Sequence, residues 1–240
     1  MKLIKFTDHV YYMEHTQETD RPTLGYVNGT KGGFMMDAGN SATHYHQFIE
    51  KLMHKNLPHP RYIALTHAHW DHSFGLWVSE AVSIAGEKTN KELAKMAQWT
   101  WSDEAMKERL ESGQDSDFSD EHIRKEYTTL SDIKVKTAEM NFNGSVKIDL
   151  GDVTCVLKEL VSPHCRDCVV FIIPEDGVIF LGDSYCSVPK GDVWEYDKVL
   201  LMAYIDELEK IDFRLALKGH HPPQTKEDLL AELKEELKKL

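Results

Sequence analysis

The 240-residue sequence has only four cysteines, no basic excess, no polar low-complexity tract and no apolar run near the roughly 18 residues of a membrane span. Each absence removes a class of protein. Cysteines at 155, 165, 168 and 186 are too few and too clustered for a disulfide framework. Cys165 and Cys168 make one CxxC, but a structural zinc ribbon needs a second ligand pair, and strand–loop–strand surroundings are not those of a redox helix. Packing is the role expected of that pair. With 28 Lys and Arg against 40 Asp and Glu, the net charge of −12 repels phosphate backbones and anionic membranes, so neither nucleic acid nor a membrane is an expected partner. The opening MKLIKFTDHVYY meets Asp8 and His9 before any signal-peptide core, which points to a soluble, cytoplasmic protein. What remains, 41% hydrophobic and 28% charged, is ordinary for a globular chain.

Turn signals divide the first forty residues into short strands, Leu3 to Phe6, Val10 to Met13, Thr23 to Asn28 and Gly33 to Asp37. Ser41 caps a helix whose apolar Tyr45, Phe48, Ile49, Leu52 and Met53 keep helical spacing until Pro58. A strand at Tyr62 to Leu65 follows, and another at Ser79 to Gly86. Helices are expected at Lys88 to Trp101, Asp103 to Glu111 and Asp120 to Leu130. This acidic block carries Met96, Trp99, Trp101, Met106 and Phe118, which would serve a lid or merely attach the block to the core. Strand character returns at Ser145 to Leu150, Val153 to Val161, Cys168 to Ile173 and Val178 to Leu181. A helix from Tyr196 to Lys210, a strand at Leu215 to Leu217 and a charged helix from Lys226 complete the pattern. Strands followed by helices thus occur twice, as two halves of a sandwich would require.

Chemistry concentrates in Thr66-His67-Ala68-His69-Trp70-Asp71-His72. Imidazole offers a neutral nitrogen and aspartate a hard oxygen, a mixture suited to Zn²⁺ or a neighbouring first-row ion. In an extended or sharply turned chain, residues two apart point the same way, so His67 and His69 can converge on one ion while Asp71 and His72 reach a second. A histidine-rich surface loop is the plain alternative. Three further candidates end strands: His164 after Val161-Ser162-Pro163, Asp183 after Val178 to Gly182, and His220 after Leu215 to Gly219. Gly182 and Gly219 precede two of them, as expected where backbone approaches a crowded site. His9, His15, His44, His46, His54, His59 and His122 lack such placement and are read as surface or packing residues. Trp70 and Trp77 flank the cluster, as pocket wall or as core.

THAHWDH, SPHCRDCVVFIIPEDGVIFLGD and LKGHHPP, in that order and with the early MMDAG, resemble the metallo-β-lactamase fold superfamily of hydrolases from about Gly25 to Thr225. The resemblance implies an α/β fold, a four-layer αββα sandwich of two mixed β-sheets flanked by helices. Residues 1–240 would be a single domain with a helical insertion at about 88–140. It further implies that His67, His69 and His164 hold one metal, that Asp71, His72 and His220 hold a second, and that Asp183 bridges both. Asp37 matches an aspartate that orients ligands through hydrogen bonds. The donor set favours two Zn²⁺, and iron or manganese would also accept it.

Departures from the family pattern narrow the range of activities it implies. His-Cys-Arg-Asp-Cys stands where many members have His-Thr-Pro-Gly-Ser, and Gly-His-His replaces Gly-His-Gly, so His221 competes with His220, the favoured ligand because it directly follows the glycine. An aspartate at 183, where true β-lactamases commonly carry cysteine, does not imply antibiotic hydrolysis. A glyoxalase II would have more than the one helix that follows His220, and the diiron reductases usually alter the second histidine and add a flavin module. Tyr185 matches a position where some lactonases donate a hydrogen bond to the carbonyl. The expected function is a metal-dependent hydrolase in which a hydroxide bridging two cations about 3.5–4 Å apart attacks an ester, thioester, lactone or amide in a small molecule. Asp71 would hold the nucleophile and shuttle a proton. A phosphodiesterase or ribonuclease of the same fold and a non-catalytic metal-binding protein are the alternatives.

Overall fold

The computed structural model describes residues 2–190 and 193–240. Strands β1 (Leu3–Lys5), β2 (Val10–Met13), β3 (Leu24–Gly29) and β4 (Gly32–Met36) form the antiparallel meander expected from their turn residues. Helix α1 (Ala42–His54) is capped by Ser41, whose Oγ accepts from the His44 N–H at 3.1 Å. It returns the chain to β5 (Pro60–Ala64), parallel to β4. A four-residue helix, α2 (Trp70–Ser73), interrupts the path to β6 (Val82–Gly86), and α3 (Glu87–Met96), α4 (Asp103–Glu111) and α5 (Asp117–Glu126) lead to β7 (Met140–Phe142). Among the described residues these strands make a seven-stranded sheet in sequential order, with β4 to β7 parallel.

The second half repeats the scheme. Hairpins join β8 (Ser145–Asp149), β9 (Thr154–Glu159), β10 (Val169–Ile173) and β11 (Val178–Phe180). A small ribbon of β12 (Val188–Lys190) and β13 (Val193–Glu195) precedes α6 (Lys198–Lys210), β14 (Leu215–Leu217), β15 (Gln224–Thr225) and α7 (Lys226–Lys239). Strand β14 lies parallel to β11, and the sheet runs β15-β14-β11-β10-β9-β8.

Alternation along each strand builds the layers. Phe34 and Met36 point at the opposite sheet, while Met35 between them packs under α1 with Phe48, Ile49 and Leu52. On the other side, Val169, Phe171 and Ile173 enter the inter-sheet core, and Val170 meets Leu201, Tyr204, Ile205 and Leu208 of α6. Strands buried on both faces must be apolar throughout, which is why β4, β10 and β11 read as continuous hydrophobic runs. The result is a four-layer αββα sandwich of two mixed sheets. No helix among the described residues is long and apolar enough to cross a membrane.

Several element ends differ from the sequence reading because a cap, rather than periodicity, decides them. Asp197 accepts from the N–H groups of Val199 and Leu200, so α6 starts at Lys198 instead of Tyr196. Ser116 likewise starts α5 three residues early. Residues Leu76–Val78 form a 3₁₀ turn, which leaves β6 to begin at Val82 instead of Ser79. Helix α3 ends at Met96 because Trp99 and Trp101 leave its path to lie against the Arg109 guanidinium, 4.7 Å from each ring. Strands β7, β12, β13 and β15 are two or three residues long and, unlike the equally short but apolar β14, carry no apolar run that marks them in the sequence.

Phe171 stacks on Phe180 at 5.9 Å and meets Phe34 edge-on at 5.8 Å across the sheets. Phe171→Ala is expected to cost about 3–5 kcal/mol in urea unfolding. Val199→Ala, at a side chain 74% exposed, should stay within about 0.5 kcal/mol of the parent. Equal effects at both positions would contradict the assigned core.

Candidate metal centre

Five strand ends meet at one edge of the sandwich. Strands β4 and β5 are parallel, so Asp37 and the histidine cluster leave the first sheet side by side. Strands β9, β11 and β14 also run alike in the second sheet, carrying His164, Asp183 and His220 to the same edge. The sheets are tied here by Val169 N–H to Thr66 O at 2.7 Å and Thr23 N–H to Gly219 O at 2.7 Å. After Thr66 the chain runs without regular structure through His69, then coils into α2, which carries Asp71 and His72 and leaves the His72 ring 4.3 Å from that of His67.

Two donor groups result: His67, His69 and His164; and Asp71, His72, Asp183 and His220, the donor atoms within each lying inside 4.8 Å of one another. All seven sequence candidates are therefore brought together. His164 Nε2 is 3.0 Å from His69 Nδ1, and His220 Nε2 is 3.0 Å from Asp71 Oδ2. Asp183 lies between the groups, 3.4 Å from the Nε2 atoms of His72 and His220 and 4.0 Å from His164 Nε2. His221 turns away, its Nδ1 meeting the Tyr185 hydroxyl at 2.6 Å, so the histidine next to the glycine is the one that enters the group.

Hydrogen bonds behind the cluster decide which ring nitrogens are open. Asp37, fully buried with φ +62°, accepts from the Thr66 N–H and hydroxyl at 2.7 and 2.9 Å, and from His72 Nδ1 at 2.7 Å. Because the Thr66 hydroxyl gives its hydrogen to Asp37, its oxygen accepts from His67 Nδ1 at 3.0 Å. Both imidazoles thus direct Nδ1 back into the fold and Nε2 into the cluster. The two glycines fulfil the expected role: a Cβ on Gly219 would lie 1.9 Å from Asp183 Oδ1, and Gly182, at φ +52°, would place one 2.5 Å from Thr66 Oγ1.

His67 Nε2, His72 Nε2 and Asp183 Oδ1 are buried without a hydrogen-bond partner. Each such atom costs on the order of 1–3 kcal/mol when left unpaired, and a cation in each donor group would satisfy them. Charge agrees with that fit. Burial opposes ionisation of Asp71 and Asp183, yet His72 and His220 hold both carboxyls well below their usual range. Burial likewise opposes charge on His72 and His220, and the carboxylates overcome it, raising both imidazoles. Burial and the neighbouring imidazoles keep His67 well below its ordinary value, and burial with His69 brings His164 to about 4, leaving neutral donors. The donors and their spacing are those of a divalent-cation site.

A family model of the metallo-beta-lactamase superfamily matches residues 21–215. The chain belongs to this superfamily. Among solved structures, a metallo-beta-lactamase from Pontibacter korlensis superposes with a TM-score of 0.73 at 14% identity, covering 100% of this chain and 99% of that one. The metallo-beta-lactamase FIM-1 from Pseudomonas aeruginosa, in its mono-zinc form, gives 0.64 at 16% identity over 100% and 96%. A double mutant of the sec-alkyl sulfatase PisA1 gives 0.69 at 15% identity over 99% of this chain and 41% of that one. Identities this low establish a shared fold alone. No curated protein sequence matches significantly.

Other candidates fall into place around this metallo-beta-lactamase-fold centre. Trp70 packs with Phe74 against Met106, Ile123 and Ile133, joining the helical block to the cluster loop, while Lys134 Nζ covers the Trp77 ring at 4.3 Å. Arg21 adds a bidentate pair to Glu126 at the end of α5, at 2.8 and 3.0 Å. The apolar residues of the block thus serve largely as attachment. One participant escaped the sequence reading: Asp20 Oδ1 lies 3.4 Å from His220 Nδ1. Asp20 is buried, in a left-handed turn that aspartate tolerates, and burial beside Asp71 pushes its carboxyl up to about 7. No motif marks it; the Thr-Asp-Arg-Pro turn is its only signal.

Two outcomes are expected. A cation must displace protons from His72 and His220, whose raised affinities favour the protonated form, so metal affinity should rise with pH. Titration calorimetry in buffers of different ionisation enthalpy should show proton release; pH-independent binding would contradict the assignment. Asp20→Ala, which frees the His220 ring, should weaken metal binding about 10–100-fold, read in competition with a chromophoric chelator.

Proposed function

We propose that the protein is a metal-dependent hydrolase with a dinuclear, dizinc centre that cleaves an ester, thioester, lactone or amide bond in a small molecule. The observation that carries this reading is the convergence of seven donors in two groups with Asp183 between them. In the reading, His67, His69 and His164 hold one ion, Asp71, His72 and His220 the other, and Asp183 both. A single closed structural site would need only four donors. Bound there, the metal would supply Lewis acidity and make water nucleophilic near neutral pH.

The chain's own residues do the rest. Asp71, whose Oδ2 lies 3.0 Å from His220 Nε2, is the carboxylate placed to orient the attacking water and to relay its proton to the leaving group. Asp37 and Thr66 keep the His67 and His72 rings from rotating, and Asp20 does so for His220. Tyr185 is 3% exposed and its hydroxyl is bonded to His221, which weighs against its donating to a substrate carbonyl. A net charge of −12 favours a small-molecule substrate over a nucleic acid.

A panel of lactones, aryl esters, thioesters, β-lactams and bis-(nitrophenyl) phosphate tests the reading. Carbonyl substrates should turn over only in metal-loaded protein, and Asp71→Ala should lower kcat by about 10²–10⁴. Phosphodiester cleavage without carbonyl hydrolysis would reverse the assignment. Metal analysis should give close to two equivalents per chain, falling with Asp183→Ala; one equivalent unaffected by that change would refute the dinuclear centre.

A further inference from the structure

Between His164 and the start of β10 lies a feature that the hydrolytic chemistry leaves unused. The Sγ atoms of Cys165 and Cys168 are 2.8 Å apart, both thiols free, with Arg166 and Asp167 forming the turn between them. A disulfide holds its sulfurs about 2.05 Å apart, so closing this one requires a movement below about 1 Å. Cys165 is half-buried and reachable, whereas Cys168 is 2% exposed. Cys155 is sealed in the inter-sheet core.

The same turn is fastened to the cluster loop. Asp167 Oδ2 accepts from the Ala68 N–H at 2.9 Å, between His67 and His69, and its carbonyl accepts from the Thr89 hydroxyl at 3.0 Å. Val169, next to Cys168, donates its N–H to Thr66 O at 2.7 Å. His164 precedes Cys165 directly. The dithiol turn therefore touches both segments that supply the three-histidine group.

We propose that Cys165 and Cys168 form a reversible dithiol–disulfide site for low-molecular-weight disulfides such as oxidised glutathione, and that closing it stiffens the edge of the three-histidine group. The Cys165 thiolate attacks one sulfur of the small disulfide, expelling a thiolate and leaving a mixed disulfide. Cys168, giving up its proton, then attacks Cys165 Sγ and expels the second thiolate. Two protein thiols are oxidised, one small disulfide is reduced to two thiols, and the two protons leave with them. The closed ring restrains the backbone beside His164 in a geometry already adopted, so it preorganises that donor rather than displacing it. This last step rests on the reading that His67, His69 and His164 hold a metal.

The test uses the intact protein with excess oxidised glutathione, followed by acid quench, alkylation and peptide mass mapping. The expected product is a Cys165–Cys168 cross-link, lighter by two hydrogens, with Cys155 and Cys186 still alkylated, reversed by reductant and absent in Cys165→Ser. Persistent alkylation of both thiols, stable glutathione adducts or a bond to another cysteine would overturn the site. In a second arm, zinc-loaded oxidised and reduced forms transfer metal to a chromophoric chelator. The oxidised form should release it about two- to tenfold more slowly. Equal or faster release overturns the coupling. A chain that forms the cross-link but takes up no zinc supports the dithiol site and refutes the metal reading on which the coupling rests.

Discussion

Two carboxylates, Asp71 and Asp183, sit almost out of reach of water beside the imidazoles of His72 and His220, and much of the molecule is arranged to tolerate that. A buried charge without a counter-charge is costly, and here opposite charge comes from His72 and His220, delivered by two separate strand ends. Gly219 must lack a side chain because Asp183 occupies its Cβ position. Asp37 must take a left-handed backbone to place its oxygens under Thr66 and His72. Those constraints explain why this edge of the sandwich is irregular while the opposite faces are continuous strand and helix.

The sandwich provides the rigidity such a cluster needs. Phe34, Phe171 and Phe180 lock the sheets together below the site, and α1 and α6 cover their outer faces. Donors supplied by strand ends inherit the precision of the sheets, whereas donors on a loose loop would have to be ordered by the metal itself. The helical block adds a further brace through Trp70, Phe74 and the Arg21–Glu126 pair. Arg21 follows Asp20, so the contact that secures the block also secures the carboxylate behind His220.

Sequence alone located much of the cluster because its members are local. His67, His69, Asp71 and His72 share one short segment, and Asp183 and His220 are announced by glycines after apolar strands. The Ser41 cap, the hairpin at Gly151 and the continuous runs of β10 and β11 were legible for the same reason. Asp20 was not, since a carboxylate 200 residues from the histidine it supports carries no local mark. Nor were the starts of α5 and α6, where Ser116 and Asp197 choose the first turn by hydrogen bonds that periodicity does not encode. The Cys165–Cys168 contact belongs to the same class: the spacing reads as packing, and only the folded turn brings two free thiols to 2.8 Å.

The sequence by itself determined the donor types, the two-halved order of strands and helices, and the apolar alternation that makes strands buried on both faces. Tertiary structure decided which histidine of the His220–His221 pair turns inward, which nitrogen of His67 and His72 faces the cluster, and which oxygen stands behind each ring. The physical reason is range. Alternation, capping and turn chemistry act over a few residues and leave their record in neighbours, whereas a tautomer or a buried charge pair is set by groups that meet only after two sheets have closed on each other.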